Sequence, residues 1–190
     1  MKFAVLVFFT LFIWGDAFWF KTVPSLSVDK YLGRWYQMYA SPFVVNTFER
    51  DGVCVTADYT QREDGKIGVL NSQRLKTETG VGKNITGYAY IPDTKQPGKL
   101  KVRLQGGVPF AAPYWVVKLG PPSFGNKGLY QYSIVTDPLK IGLYVLARDV
   151  DNFKSQYDEE VTSWLAENGF KHFYNKPVPT VQNKKCLYPA

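Results

Sequence analysis

Few side chains in this 190-residue chain could do covalent chemistry. There is one histidine, His172, and there are two cysteines, Cys54 and Cys186. A serine nucleophile needs a neighbouring base, and His172 would have to supply it. It stands in "FKHFYN", beyond the last periodic segment, and reads as a tail residue; a metal or haem ligand is the alternative. No HExxH, CxxC or phosphate-binding glycine loop occurs, and no paired carboxylates facing an interior are evident. The residues therefore argue against an enzyme, and no metal or cofactor is expected. In an oxidising compartment a lone pair of cysteines most simply forms one disulfide. Closing a loop of about 130 residues would contribute on the order of 4–5 kcal/mol. Two independent buried thiols are the alternative.

The chemistry left over is hydrogen bonding inside apolar surroundings, and it depends on which residues face inward. Short alternating runs follow one another between turn residues. In "VCVTADYTQ" (53–61), Val53, Val55, Ala57 and Tyr59 share one face. In "KIGVLNSQ", Ile67, Val69 and Asn71 do. "EDGK" (63–66) is a hairpin turn signal, because Asp-Gly accepts the positive φ angles such turns need. With "RWYQMYA" (34–40), "NITGYAYI" (84–91), "KLKVRLQ" (99–105), "YWVVKL" (114–119), "LYQYSIVT" (129–136) and "IGLYVLAR" (141–148), eight strands follow in succession. Eight sequential antiparallel strands close into an up-and-down barrel with room for one small ligand. A β-sandwich would need a long crossover, for which there is no signal. The period then changes. "NFKSQYDEEVTSWLAENGF" (152–170) predicts one amphipathic helix, started by Asp151 or Asn152 and ended at Gly169. The expected architecture is an all-β, eight-stranded barrel with one flanking helix.

Residues 1–17 read as a signal peptide: Lys2, an apolar run from Phe3 to Trp14, then Gly15-Asp16-Ala17. Cleavage after Ala17 or a few residues later leaves a single domain, 18–190, and a secreted protein. A membrane anchor is the competing reading, but the run is short for a bilayer. The net charge is +7. The basic residues are scattered and alternate with apolar ones, which suits a solvated strand face and not a nucleic-acid site. Weak attraction to anionic membranes or glycans stays open. Asn84 in "NIT" is a glycosylation acceptor.

Three of these features together resemble the lipocalins: Gly33 and Trp35 in "YLGRWYQM", Arg148 in "LYVLARD", and eight strands followed by a helix. "AAPYWVV", "DGKIGVLN" and the placement of Cys54 and Cys186 resemble the apolipoprotein D and bacterial lipocalin branch. The resemblance implies that Trp35 plugs the closed end with Arg148 across its indole, and that Gly33 leaves room for a crossing chain. It also implies ligand positions at Tyr59, Asn71, Tyr114 and Tyr144. The chain departs from the family at "GNKGLYQYSIV", which has Gly128 and Leu129 where Thr and Asp would stand, so the first-strand cap is expected to be held differently. Strand parity adds Val69, Val102, Leu104 and Tyr39 to the inward set, with the alternative that the tyrosines merely fill a core. An inward Asn71 among apolar neighbours would need a partner. The expected ligand is small, elongated and mainly apolar: a fatty acid, lysolipid, sterol, retinoid, bilin or carotenoid. Lys83, Lys101 and Lys118 are candidates for a ligand carboxylate. The loops 41–52 and 106–113 carry Phe43, Val44, Val45, Phe48 and Phe110, and expose them for transient membrane or protein contact. A protein-interaction or pigment-complex subunit acting through those loops is the second reading.

Overall fold

The structure, a computed structural model, describes residues 21–107 and 109–189. The signal-peptide assignment therefore lies outside the described residues. One helical turn, α1 (Val28–Tyr31), leads into β1 (Gly33–Ala40). After α2 (Pro42–Asn46) come β2 (Gly52–Gln61), β3 (Ile67–Leu75), β4 (Gly82–Tyr90), β5 (Lys99–Leu104) and β6 (Ala112–Leu119). A small hairpin, β7 (Pro122–Phe124) and β8 (Leu129–Tyr130), precedes β9 (Tyr132–Thr136) and β10 (Leu143–Ala147). Helices α3 (Val150–Gln156) and α4 (Asp158–Glu167) and a short β11 (Val178–Pro179) complete the chain. β1 to β6, β9 and β10 pair antiparallel in sequence order, and β10 returns to pair with β1. The sheet is a closed barrel, not two facing layers. At the predicted hairpin, Gly65 takes φ +74° and the Arg62 N–H bonds to the Lys66 carbonyl.

The closed end is built around one stacked pair. Trp35 is fully buried, and the Arg148 guanidinium lies 3.7 Å from its ring centroid. Arg148 Nη1 donates to the Arg34 carbonyl (2.8 Å) and Nη2 to the Lys30 carbonyl (3.1 Å). Trp35 Nε1 donates to the Tyr31 carbonyl at 2.9 Å. The incoming chain is thus tied across the barrel end by backbone acceptors. Gly33 is needed here mainly for its backbone: φ is +92°, and an added Cβ would sit 3.3 Å from Arg148 Nη1. The crowding neighbour is the guanidinium, not a crossing chain. In place of the missing Thr-Asp pair, the Ser27 N–H donates to the Tyr130 hydroxyl at 3.1 Å.

Two elements differ from the pattern-based expectation. The single helix is two, broken at Tyr157, whose φ of −124° and ψ of −15° leave the helical region. Its ring packs 5.4 Å from that of Tyr132 on the barrel wall. The start is capped by Asp149, whose carboxylate accepts from the Asn152 N–H at 2.7 Å, and not by Asp151 or Asn152. At the other end Gly169 has φ +88°, with Gly169 N–H to Ala166 and Phe170 N–H to Leu165 as expected of a glycine C-cap. The expected strand 129–136 is also divided. It falls into β8 and β9 with Gln131 between them, although the Gln131 N–H to the Pro121 carbonyl and the Arg148 N–H to the Gln131 carbonyl continue the neighbouring registers. Cys54 and Cys186 form a disulfide with Cα atoms 5.6 Å apart. It pins the C-terminal tail beside β1 and β2, where Gln182 Nε2 donates to the Gln37 and Val55 carbonyls.

Replacing Arg148 by alanine strips Trp35 of its cover and removes the donors to the part-buried carbonyls of Lys30, Arg34 and Tyr130. The expected loss is about 2–4 kcal/mol, read as a lower urea midpoint at unchanged m-value.

Candidate functional site

The barrel encloses a cavity of about 550 Å³ that opens between α2, the β5–β6 loop and the β9–β10 turn. Its wall follows strand parity. Ile67 and Val69 of β3, Leu100, Val102 and Leu104 of β5 and Ala57 of β2 supply apolar surface. Tyr59, Asn71, Tyr114 and Tyr144 also line it, as does Tyr31, which pattern reading did not identify. Trp35 is not part of the lining.

Tyr39 is the exception among the candidates. The β1–β10 register shifts between Gln37 and Tyr39. That bulge turns Met38 and Tyr39 outward, into the apolar layer under α3 and α4. The Tyr39 hydroxyl donates to Asp158 Oδ1 at 2.7 Å. It belongs to the outer wall and not to the cavity. A second register shift, at Cys54 (φ +54°), leaves Val53 out of the lining while Val55, Ala57 and Tyr59 stay in.

The cavity floor carries a linear chain of hydrogen-bonded hydroxyls. The hydroxyls of Tyr59 and Tyr114 are 2.9 Å apart, those of Tyr114 and Tyr31 2.9 Å, and Tyr31 reaches Ser133 Oγ at 2.8 Å. Burial pushes Tyr31 up to about 12 and raises Tyr59 and Tyr114 as well, so all three are neutral at physiological pH. Each of the four hydroxyls has at least one partner within the chain.

The upper cavity is different. Glu49, in the segment after α2, lines it beside Gln37, whose Nε2 donates to Glu49 Oε2 at 2.6 Å. Burial pushes the Glu49 carboxyl up to about 7, against a smaller lowering by that hydrogen bond. Asp137 lines the same region, held by the backbone N–H groups of Leu139 and Gly142. Tyr144 is raised first by burial and then by the charges of Glu49 and Asp137. Asn71 Oδ1 and Gln73 Nε2 are enclosed and have no hydrogen-bond partner. Gln37 could have been found, since it shares strand parity with Trp35. Nothing in the alternation marks Glu49, which sits on an irregular segment.

At the rim, Phe43 and Phe48 pack edge to face at 5.7 Å and remain 42% and 58% exposed, and Phe110 is exposed on the facing loop. Val44, expected to be exposed, is fully buried beneath them, and Val45 is half-buried. Of the three candidate lysines only Lys83 lines the cavity. Lys118 pairs with Glu160 at 3.0 Å, and Lys101 is exposed outside the lining. Asn84 is exposed on β4. His172 stacks on Tyr174 in the tail, away from the cavity.

A family model described as a Lipocalin-like domain matches residues 26–175. The chain belongs to the lipocalin family. Temperature-induced lipocalin-1 of Arabidopsis thaliana is 30% identical over 162 residues, 82% of this chain and 77% of its own. The outer membrane lipoprotein Blc of Vibrio cholerae is 34% identical over 128 residues, covering 67% of this chain and 68% of its own. Apolipoprotein D of Cavia porcellus is 37% identical over 109 residues, and the match spans about half of each protein, 54%. These relatives place this lipocalin in the apolipoprotein D and bacterial lipocalin branch. Among solved structures, Japanin from Rhipicephalus appendiculatus bound to cholesterol superposes with a TM-score of 0.54 over 87% of this chain and 99% of its own, at 14% identity, a likeness of fold.

Replacing Tyr114 by phenylalanine removes the middle hydroxyl of the floor and strands that of Tyr59. Stability should fall by about 1–2 kcal/mol in thermal or urea unfolding. Glu49 gives a pH signature. Its folded-state value, about 7, lies above the ordinary 4.5. Its contribution to stability is therefore present in full below about 4.5 and is lost as pH rises through about 7. Between pH 5 and 8 the Glu49→Gln variant should gain on the wild type by on the order of 2 kcal/mol, read from paired urea curves.

Proposed function

We propose that this lipocalin is a secreted carrier that holds one small, mainly apolar molecule in its barrel. The observation behind the reading is the cavity itself: about 550 Å³, walled by aliphatic side chains and tyrosines, open at one end. That size and lining suit a single compact lipid, with apolar burial at about 25 cal/mol per Å² as the main driving force. Japanin, of the same fold, holds cholesterol, which supports a sterol-sized occupant. Secretion is supported by the disulfide and the leader-like residues 1–17; no described helix is long and apolar enough to cross a membrane. The role is binding without chemistry: both cysteines are paired, and the histidine is remote from the cavity. The exposed Phe43, Phe48 and Phe110 around the mouth favour a second reading, transient membrane or protein contact made through those loops.

Native mass spectrometry of protein purified from its source should show an added mass of a few hundred daltons. A visible absorption band with it would mean a pigment. Val102→Trp, which puts an indole into the cavity, should weaken binding of the extracted molecule at least tenfold. A bare mass with stable oligomers would favour the interaction reading instead.

A further inference from the structure

We infer that the upper cavity is a site for the cationic amine head of an amphiphilic ligand, with Glu49 as its counter-ion. The inference rests on the carrier reading and specifies which molecules the carrier takes. The upper cavity mixes amide donors with acceptors, but its carboxylates, Glu49 and Asp137, outnumber its one cation. From β1 comes Gln37, already donating to one carboxylate oxygen. The β9–β10 turn supplies Asp137, and β10 supplies the Tyr144 hydroxyl. From β3 come Asn71, whose Oδ1 is an enclosed acceptor with no partner, and Gln73, 8% exposed with an unpartnered Nε2. Gln73 lies against the Glu49 segment: a Cβ on Gly52 would meet Gln73 Oε1 at 2.7 Å and the Glu49 carbonyl at 2.8 Å. The one cation in the lining is Lys83, on β4, and it is exposed at the rim. Among the described residues Glu49 forms no ion pair.

Glu49 is half-buried, and a carboxylate partly removed from water without a cation is costly, as is an enclosed amide oxygen without a donor. An ammonium group removes both costs at once: it donates to Glu49 and to Asn71 Oδ1. Gln73 Nε2 can then donate to a hydroxyl beside the amine. A ligand carboxylate would meet Glu49 and Asp137 head on. The floor hydroxyls already bond to one another, and the aliphatic wall around them suits the ligand's apolar tail.

The test uses three ten-carbon probes, decylamine, decanol and decanoate, titrated calorimetrically into the delipidated full-length mature protein. Decylamine should bind at least tenfold more tightly than decanoate and several-fold more tightly than decanol. An alkylamine stays protonated up to about pH 10, so the amine-over-alcohol ratio should rise from pH 6 to pH 8 as Glu49 ionises. Asp137, Tyr144 and Lys83 are the other titratable groups facing this region. Glu49→Gln, which keeps the shape and an acceptor for Gln37, assigns the effect: it should erase both the amine preference and its pH dependence. Decanoate binding as tightly as decylamine, or an amine preference that survives Glu49→Gln, overturns the inference while leaving the carrier reading intact. Failure of all three probes to bind overturns both.

Discussion

The guanidinium of Arg148 lying on the indole of Trp35 turns a rolled sheet into a cup. Arg148 is 4% exposed and has no carboxylate partner among the described residues. Burial pushes it down to about 10, yet it remains charged at neutral pH. The charge is tolerated because backbone carbonyls and an aromatic face surround it, which is how a buried cation avoids the cost of desolvation without a counter-ion. Two of those carbonyls belong to Lys30 and Arg34, on either side of the entry into β1, and the third, at 3.4 Å, to Tyr130. The segment must therefore cross under the barrel at this point and turn sharply at Gly33. Everything above the pair is kept from solvent at that end.

β1 serves two apolar layers at once. Trp35 and Gln37 face the inside of the barrel; beyond the bulge, Met38 and Tyr39 face α3 and α4. Tyrosines sew the helices to the wall. Tyr39 bonds to Asp158, and Tyr132 donates to Glu160 at 2.7 Å. Both carboxylates lie in the first turn of α4, where the helix dipole favours negative charge. Lys118, from β6, completes the contact with Glu160. The wall between cavity and helix is thus held on both sides, so the cavity can stay open without the barrel collapsing into it.

The barrel was legible in the sequence because its period is two and its turns are short: "EDGK" and the alternation in β3 specify which faces pair and which look inward. The same parity placed Tyr59, Val69, Asn71, Val102, Leu104, Tyr114 and Tyr144 on the cavity wall. It failed for Tyr39 and Val53, because a bulge shifts parity by one residue and no residue type in those strands announces it. The break at Tyr157 was hidden for a related reason. The apolar stripe continues across it, and the ring of Tyr132, distant in sequence, occupies the place where the helix turns. Asp149 was passed over as a cap because two further candidates follow it within one turn. Glu49 had no signal at all. It lies on an irregular segment whose position is set by the packing of α2, with Val44 buried beneath.

Polarity inside the cup runs in one direction. At the floor, three tyrosines and Ser133 bond to one another in a line, and that end presents rings to whatever lies against it. Towards the mouth the bonds run out: Asn71 Oδ1 and Gln73 Nε2 have no partners, and Glu49 has one amide. A molecule with one polar end gains most by pointing that end up and its hydrocarbon down, because the unpartnered amide atoms lie towards the mouth while the floor hydroxyls already have one another. On the proposed carrier reading, the cavity selects orientation as well as polarity. On that reading the polar end lies towards the mouth, where Phe43 and Phe48 are exposed.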